Sequence, residues 1–287
     1  MRRREFVLLG GATLVLWSAA ANTQTDLPVV GYINAAASAD SAELVGAFKQ
    51  GLSEAGFVEG RSVLIEYRWA DDNYDRLPAM VADAISHHVA VIAATSTPVA
   101  LAAKTATRTI PIVFTIGGDP VKLGLVSALN RPMDNLTGFT RYNVDLGPKR
   151  LELLHDLVPG ASRVGLVVNP NNPNTETVLN AVRKAAHTLG IEIQIARASS
   201  DSELNDALAT LSWLPVAAVV IGNDPFFNSR SQQLAALTLR HSVPAIYQYR
   251  KFVEAGGLMS YGASNSDSHR QLGVYVGRIL AGAKPTD

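Results

Sequence analysis

The sequence predicts an α/β protein in which two doubly wound lobes, each built on a parallel sheet, face each other across a cleft. Three observations predict this fold class. Short apolar runs alternate along the chain with runs of three- and four-residue periodicity, which indicates strands alternating with helices. The same order of runs occurs twice, starting near Val29 and near Arg163. The runs at 89–94 and 217–221 are almost continuously apolar, which is typical of parallel strands covered on both faces.

The first half reads as a βαβαβ unit. Leu44, Phe48 and Leu52 recur at every fourth position, which predicts one buried helix face, and Gly56 predicts the left-handed cap that ends this helix. The predicted elements are strands at 29–33, 62–69 and 89–94, helices at about 41–55 and 76–86, and a further strand at 112–116.

The second half repeats this unit. Its predicted elements are strands at 164–168, 192–196 and 217–221, with helices around 178–189 and 201–211. Parallel strands joined in this way need right-handed crossovers, so each half forms its own lobe. We expect residues 27–140 with 265–287 to form the first lobe and residues 141–262 the second, with hinges where the chain crosses between them.

Residues 1–21 are predicted to be a cleavable signal peptide. Three arginines at positions 2–4 precede an apolar run at 6–17, and small residues follow up to Ala21. The run is shorter than the roughly 20 apolar residues that a membrane span needs. The arginine pair also resembles a twin-arginine signal, so the general and the twin-arginine export routes both stay open. We therefore expect a periplasmic protein; a buried N-terminal helix is the alternative.

Composition and motifs exclude several classes of function. The 25 Lys and Arg balance the 25 Asp and Glu, which argues against a nucleic-acid partner, and the absence of cysteine excludes disulfides, thiolate metal sites and a cysteine nucleophile. The common dinucleotide, phosphate-loop, serine-hydrolase and zinc-protease motifs do not occur. The six histidines do not cluster, and His269 reads as a solvated helix residue. We expect no enzymatic activity, no cofactor and no metal.

Candidate ligand-binding residues follow the strands, because ligands of parallel sheets collect beyond the carboxyl ends of the strands. Ser96 and Thr97 lie between an apolar strand and a helix that starts with Pro98, where hydroxyls, backbone N–H groups and the helix dipole suit a carboxylate. The alternative is that they only cap this helix. The other candidates are Asn34, Asp119, Asn169, Asp224, Tyr247 and Tyr261.

Each of these other candidates has its own chemical argument. Asn34 and Asn169 follow the first strand of each half, while Asp119 and Asp224 lie in Asp-Pro turns and could receive an ammonium or a hydroxyl. Helix capping is the alternative for both aspartates. Tyr247 and Tyr261 could stack on a flat ligand, and packing between helix and sheet is the alternative for both rings.

Several motifs together resemble a known family. They are Thr95-Ser96-Thr97-Pro98, Ile110-Pro111-Ile112-Val113-Phe114, Gly118-Asp119-Pro120-Val121, Leu136-Thr137-Gly138 and Gly282-Ala283-Lys284-Pro285. The chain is similar in these motifs, and in their order, to the ABC-transporter substrate-binding family that includes the TrpX-type proteins. The family's hydroxyl loop falls on Ser96 and Thr97, and its Gly-Asp-Pro turn falls on Asp119.

The resemblance implies a type I periplasmic binding fold and a small solute, with aromatic amino acids the best-known class, held between two lobes. It further implies delivery to an inner-membrane permease driven by a cytoplasmic ATPase, and we expect a monomer. A sensory protein that presents its ligand to a receptor, or a secreted enzyme on the same fold, are the alternatives. Related proteins usually continue beyond the Gly-Ala-Lys-Pro segment, so we expect a closing element to be missing from one lobe.

Overall fold

The computed structural model describes residues 27–39, 41–129, 135–214 and 216–286, so the predicted signal peptide lies outside the described residues. The first half of the chain contains β1 (Val29–Asn34), α1 (Ala42–Glu54), β2 (Leu64–Trp69), α2 (Leu77–Ser86), β3 (Val91–Ala94), α3 (Thr97–Ala106), β4 (Ile112–Ile116) and β5 (Leu136–Thr140). A 3-10 turn, Tyr74–Arg76, leads into α2.

The second half follows the same plan and ends in a long helix. It contains α4 (Gly147–Leu157), β6 (Arg163–Val168), α5 (Thr175–Leu189), β7 (Glu192–Arg197), α6 (Asp201–Trp213), β8 (Ala218–Ile221), α7 (Pro225–Asn228), α8 (Ser231–Arg240), β9 (Ala245–Tyr247), α9 (Arg250–Glu254), β10 (Met259–Ser260) and α10 (Asn265–Leu280).

The strands form two five-stranded sheets, ordered β2-β1-β3-β4-β5 and β10-β9-β8-β6-β7. Every strand pair within them is parallel. Apolar clusters lie on both faces of each sheet, as the uninterrupted apolar strands require. The prediction of two doubly wound parallel lobes is therefore confirmed. We call the first sheet with α1–α3 and α10 the first lobe, and the second sheet with α4–α9 the second lobe.

Local sequence explains most element boundaries. Gly56 has φ +90°, and the N–H groups of Gly56 and Phe57 donate to Ser53 O and Leu52 O, which closes α1 in the predicted way. The strand expected at 89–94 begins two residues late, at Val91. The reason is that Val89 N donates to Ala84 O, so this residue belongs to the turn that ends α2.

Two glycines let α10 pack closely on α1, although α10 comes last in the sequence. A Cβ at Gly51 would overlap the carbonyl oxygen of Arg270, and a Cβ at Gly273 would overlap that of Phe48. Leu272 and Val276 complete the apolar contact between α10 and the first sheet. The last helix thereby belongs to the first lobe, and its N-terminus reaches the edge of the sheet that faces the second lobe.

Two crossings connect the lobes, at residues 141–146 and 261–264. Arg150 of α4 is 2% exposed, and it donates from Nη2 to Asn143 O (3.0 Å) and from Nε to Tyr261 O (2.8 Å). Ala263 N also donates to Asn143 Oδ1 at 3.2 Å. Burial lowers the pKa of Arg150 to about 10, so its guanidinium stays charged at neutral pH. This side chain ties the two crossings to one another.

Within the described ranges, no helix is both long enough and apolar enough to cross a membrane.

Candidate functional site

A cavity lies between the lobes, where the carboxyl ends of the two sheets face each other. Its volume is about 630 Å³, part of it open to solvent. The first lobe contributes the starts of α1, α3 and α10, and the second lobe contributes loops that follow β6 and β8. Parallel strands bring all these loops to one edge, so the cavity occupies the position where this fold class binds ligands.

The start of α3 forms one wall of the cavity. Thr95 Oγ1 donates to Ile33 O at 3.0 Å, which anchors the turn to β1. Ser96 precedes the helix in an extended conformation and makes no capping hydrogen bond with its side chain. Its Oγ is buried and has no hydrogen-bond partner among the described residues. This hydroxyl and the positive end of a ten-residue helix thus face the same space.

Asparagines of the second lobe form the opposite wall. Asn174 Nδ2 donates to Thr97 Oγ1 across the cleft at 3.1 Å, and Asn174 N donates to Asn172 Oδ1 at 2.8 Å. Asn223 carries a buried Oδ1 that has no hydrogen-bond partner within the described part of the chain. This wall therefore offers amide groups, one of whose acceptors is unused.

A third wall combines a cation with a neutral histidine. Arg141, the first residue after β5, donates from Nη1 to Asn265 Oδ1, and His269 Nδ1 donates to Asn265 O at 2.9 Å. Burial, followed by the nearby charge of Arg141, lowers the pKa of His269 to about 4. The prediction of a solvated His269 is wrong, because α10 packs against the first lobe and leaves this side chain 2% exposed.

Hydrogen bonds between the lobes show that the cleft is closed. Tyr74 OH of the first lobe donates to both carboxylate oxygens of Asp224 in the second, at 3.0 and 2.9 Å. Asp72 accepts from Ser229 Oγ at 3.2 and 3.0 Å and forms an ion pair with Arg230. Burial and the charge of Asp224 raise the pKa of Tyr74 well above its usual value, so the phenol remains a donor.

Three of the predicted residues line the cavity, namely Asn34, Ser96 and Thr97. Asp119 does not; its Oδ1 accepts from Val121 N at 2.8 Å and caps its own turn. Asp224 is fully buried, and its carboxylate caps α7 through Phe226 N at 2.8 Å.

Asn169 lies behind the cavity wall together with Asp224. Asn169 Nδ2 donates to Asp224 Oδ1 at 3.0 Å, and Asn172 Nδ2 donates to Oδ2 at 2.5 Å. Burial raises the pKa of Asp224, and these hydrogen bonds oppose that effect. Asn169 therefore supports the carboxylate that joins the two lobes instead of facing the cavity.

Neither tyrosine reaches the cavity. Tyr247 is buried in the core of the second lobe, where its ring stacks on Phe252 at 4.7 Å and its hydroxyl lies 2.7 Å from Thr238 Oγ1. Tyr261 is 41% exposed in the second crossing, and its carbonyl accepts from Arg150. For Tyr247 the packing alternative describes what the structure shows.

Sequence reasoning missed several lining residues. Arg141 directly follows β5, Asn223 comes two residues after the end of β8, and Asn172 and Asn174 lie in an asparagine-rich loop after β6. The rule that identified Ser96 could therefore also have found them. His269 gave no local signal, because only the return of α10 to the first lobe brings it to the cavity. The described residues contain no group of three or more His, Cys, Asp or Glu side chains placed to hold a metal ion.

Two parallel α/β lobes closed over a polar cavity define a small-molecule binding protein of the type I periplasmic class. The chain belongs to the family described as ABC transporter substrate binding protein, whose family model matches residues 29–287. Members of this family are substrate-binding proteins.

Known relatives agree with this assignment. A tyrosine-binding protein of Clostridioides difficile is 27% identical over 233 residues, which cover 81% of this chain and 65% of that relative's length. A conserved domain protein of Vibrio cholerae superposes with a TM-score of 0.82 at 24% identity, covering 90% of this chain and 86% of the other. A domain from Streptococcus pneumonia in complex with L-Trp gives a TM-score of 0.80 at 20% identity, covering 91% and 87%.

Proposed function

We propose that this chain is the extracytoplasmic solute-binding component of an ABC importer and that it holds a small carboxylate-bearing solute between its lobes. The observation that carries the proposal is the cavity between the closed lobes, in which the buried Ser96 Oγ lies without a partner among the described residues at the start of α3. A buried polar atom that makes no hydrogen bond costs about 1–3 kcal/mol, so a site that keeps one is suited to a ligand that pairs with it.

A carboxylate fits this wall better than a neutral group does. The first backbone N–H groups of α3 have no partners within the helix, and the helix dipole places positive charge at the same point. Arg141 lines the same cavity and adds positive charge. An anionic solute group directed at Ser96 and Thr97 therefore meets hydrogen-bond donors and a favourable field.

Amino acids, aromatic ones among them, form the solute class that we propose to test first. This choice is supported by two of the relatives described above: one is named a tyrosine-binding protein, and the other was solved in complex with L-Trp. No Phe, Tyr or Trp ring lines the cavity within the described residues, so the apolar contacts of an aromatic solute here would come from Leu44, Pro98 and Pro225.

The site of action follows from the predicted signal peptide at residues 1–21. We propose that it exports the chain to the periplasm and that the mature protein, as a monomer, delivers its solute to an inner-membrane ABC permease. N-terminal sequencing of periplasmic material tests the export step, for which we expect a chain that begins near Asn22. Recovery of intact protein from the cytosol alone would contradict it.

A panel of carboxylates tests binding directly. We would measure thermal shifts with L-tyrosine, L-phenylalanine, L-tryptophan, 4-hydroxybenzoate, benzoate, 3-phenyllactate and 3-phenylpropionate. A ligand at 100 times its Kd stabilises a protein by about 2.7 kcal/mol, which a melting curve resolves easily. No shift with any of these compounds would contradict the proposal.

The role of Ser96 is tested with two serine variants. Ser96→Ala removes a hydroxyl that makes no capping bond, so we expect affinity for the best compound of the panel to fall about tenfold with an unchanged Tm. Ser200→Ala is the matched control, because Ser200 Oγ caps α6 through Glu203 N at 3.3 Å and lies outside the cavity. It should lower the Tm and leave the affinity unchanged.

A further inference from the structure

Arg141 and His269 form a second group of polar side chains in the cavity. The carboxylate proposal uses only the positive charge of Arg141; it does not use the hydrogen-bond donors of Arg141 or the His269 side chain. Both are fixed by one residue: Asn265 Oδ1 accepts from Arg141, and the backbone oxygen of Asn265 accepts from His269 at 2.9 Å. Asn265 is the first residue of α10, whereas Ser96 precedes α3. The Arg141–His269 group, held by the start of α10, and Ser96, at the start of α3, therefore reach the cavity from different elements of the fold.

The hydrogen bond to Asn265 fixes the tautomer of His269. A carbonyl oxygen can only accept, so Nδ1 carries the proton, and Nε2 of the neutral ring carries a lone pair. Nε2 is buried and has no hydrogen-bond partner among the described residues. His269 lines the cavity, so this acceptor is available to a group bound there.

Arg141 contributes the opposite hydrogen-bonding property to the same wall. Its guanidinium carries five N–H donors and no acceptor. No carboxylate of the described residues lies within ion-pair distance of it, and its hydrogen bonds go to Asn265 Oδ1 and to Ile116 O, the latter at 3.4 Å. The wall thus presents a cationic donor beside a neutral acceptor.

Few solute groups satisfy both of these side chains. A carboxylate accepts from Arg141 but has no proton for Nε2, and an ammonium donates to Nε2 but is repelled by the guanidinium. A hydroxyl does both, because it donates its single proton to Nε2 and accepts from Arg141 with a lone pair.

We propose that Arg141 and His269 form a hydroxyl-recognition subsite, which makes this protein select hydroxylated carboxylates over the same compounds without the hydroxyl. The inference rests on the proposed function, since it presumes that a carboxylate-bearing solute enters the cavity. A site built to bond a hydroxyl rejects the analogue that lacks it, because binding that analogue leaves the buried acceptor unpaired.

Matched pairs of probes test the subsite. The pairs are L-tyrosine with L-phenylalanine, 4-hydroxybenzoate with benzoate, and 3-phenyllactate with 3-phenylpropionate, each measured by calorimetric titration. For the pair that binds most tightly, we expect the hydroxylated member to bind at least tenfold better to the wild-type protein.

Three variants assign that preference to the subsite. His269→Leu removes the acceptor and should reduce the preference to less than threefold, whereas His269→Gln keeps an acceptor oxygen and should restore part of it. His155→Leu is the matched control, because His155 also has a buried nitrogen without a partner among the described residues but lies outside the cavity. The hydroxyl preference of the His155→Leu variant should equal that of the wild type.

The outcomes separate the two proposals. Binding of carboxylates without a hydroxyl preference, or a preference that survives in His269→Leu, overturns the subsite and leaves the proposed function standing. If none of the six paired compounds binds, and L-tryptophan does not bind either, both proposals are overturned. A melting curve for each variant confirms that the protein titrated is folded.

Discussion

Replacing Tyr74 with phenylalanine should weaken solute binding without loosening either lobe. Tyr74 OH donates to both oxygens of Asp224, at 3.0 and 2.9 Å, and this bond exists only when the lobes are closed. Asp224 keeps three other donors, from Asn169, Asn172 and the backbone of Phe226. The variant therefore removes one hydrogen bond to a carboxylate and keeps the aromatic ring.

The size of the expected loss of affinity depends on the hydrogen-bond partners that the Tyr74 hydroxyl and the Asp224 carboxylate have in the open state. A hydrogen bond to a charged group contributes about 1.5–3 kcal/mol, and the low end applies here because water can partner both groups when the cleft opens. About 1.5 kcal/mol corresponds to a roughly tenfold higher Kd. Calorimetric titration with the best compound of the carboxylate panel measures this change directly.

Tyr67→Phe is the matched control for Tyr74→Phe. Tyr67 OH donates to Glu59 Oε1 at 3.1 Å, and both residues belong to the first lobe, so this bond does not depend on closure. We expect its Kd to equal that of the wild type. Equal affinities for the wild type and Tyr74→Phe, with both proteins folded, would refute the reasoning that this contact stabilises the closed state.

Three further predictions concern stability. Arg150→Met leaves two carbonyls of the crossings without their donor and should lower the free energy of unfolding in urea by about 2 to 4 kcal/mol; an unchanged value would contradict this. Gly273→Ala gains about 1 kcal/mol in helix propensity but forces a Cβ against Phe48 O. The free energy of unfolding in urea should therefore decrease, and an increase would contradict the close packing of α10 on α1. The unfolded state protonates His269 near pH 6.5, whereas the folded state does so only near pH 4. The free energy of unfolding of the wild type should therefore fall by about 3 kcal/mol as the pH is lowered from 6.5 to 4. His269→Gln should lack this loss, and an equal pH dependence in both proteins would exclude His269 as its source.

The two lobes could be predicted from the sequence because strand and helix patterns are local. Uninterrupted apolar runs such as β3 and β8 need cover on both faces, and helices with one apolar face supply it. The turn at Ser96 could be placed at the ligand edge by the same logic, since it follows an apolar strand directly. Boundaries shifted by only a few residues, as at Val91, where the turn that ends α2 delays the strand.

Which polar side chains meet in the cavity was decided by contacts between distant parts of the chain. Arg141 and Asn265 are 124 positions apart, and His269 reaches the cavity only because Gly51 and Gly273 let α10 pack on α1. Tyr247 carries the same local pattern as a cleft residue but packs on Phe252 in the core. Hydrophobic periodicity determines which face of an element is buried, whereas the packing of whole elements determines what that face is buried against.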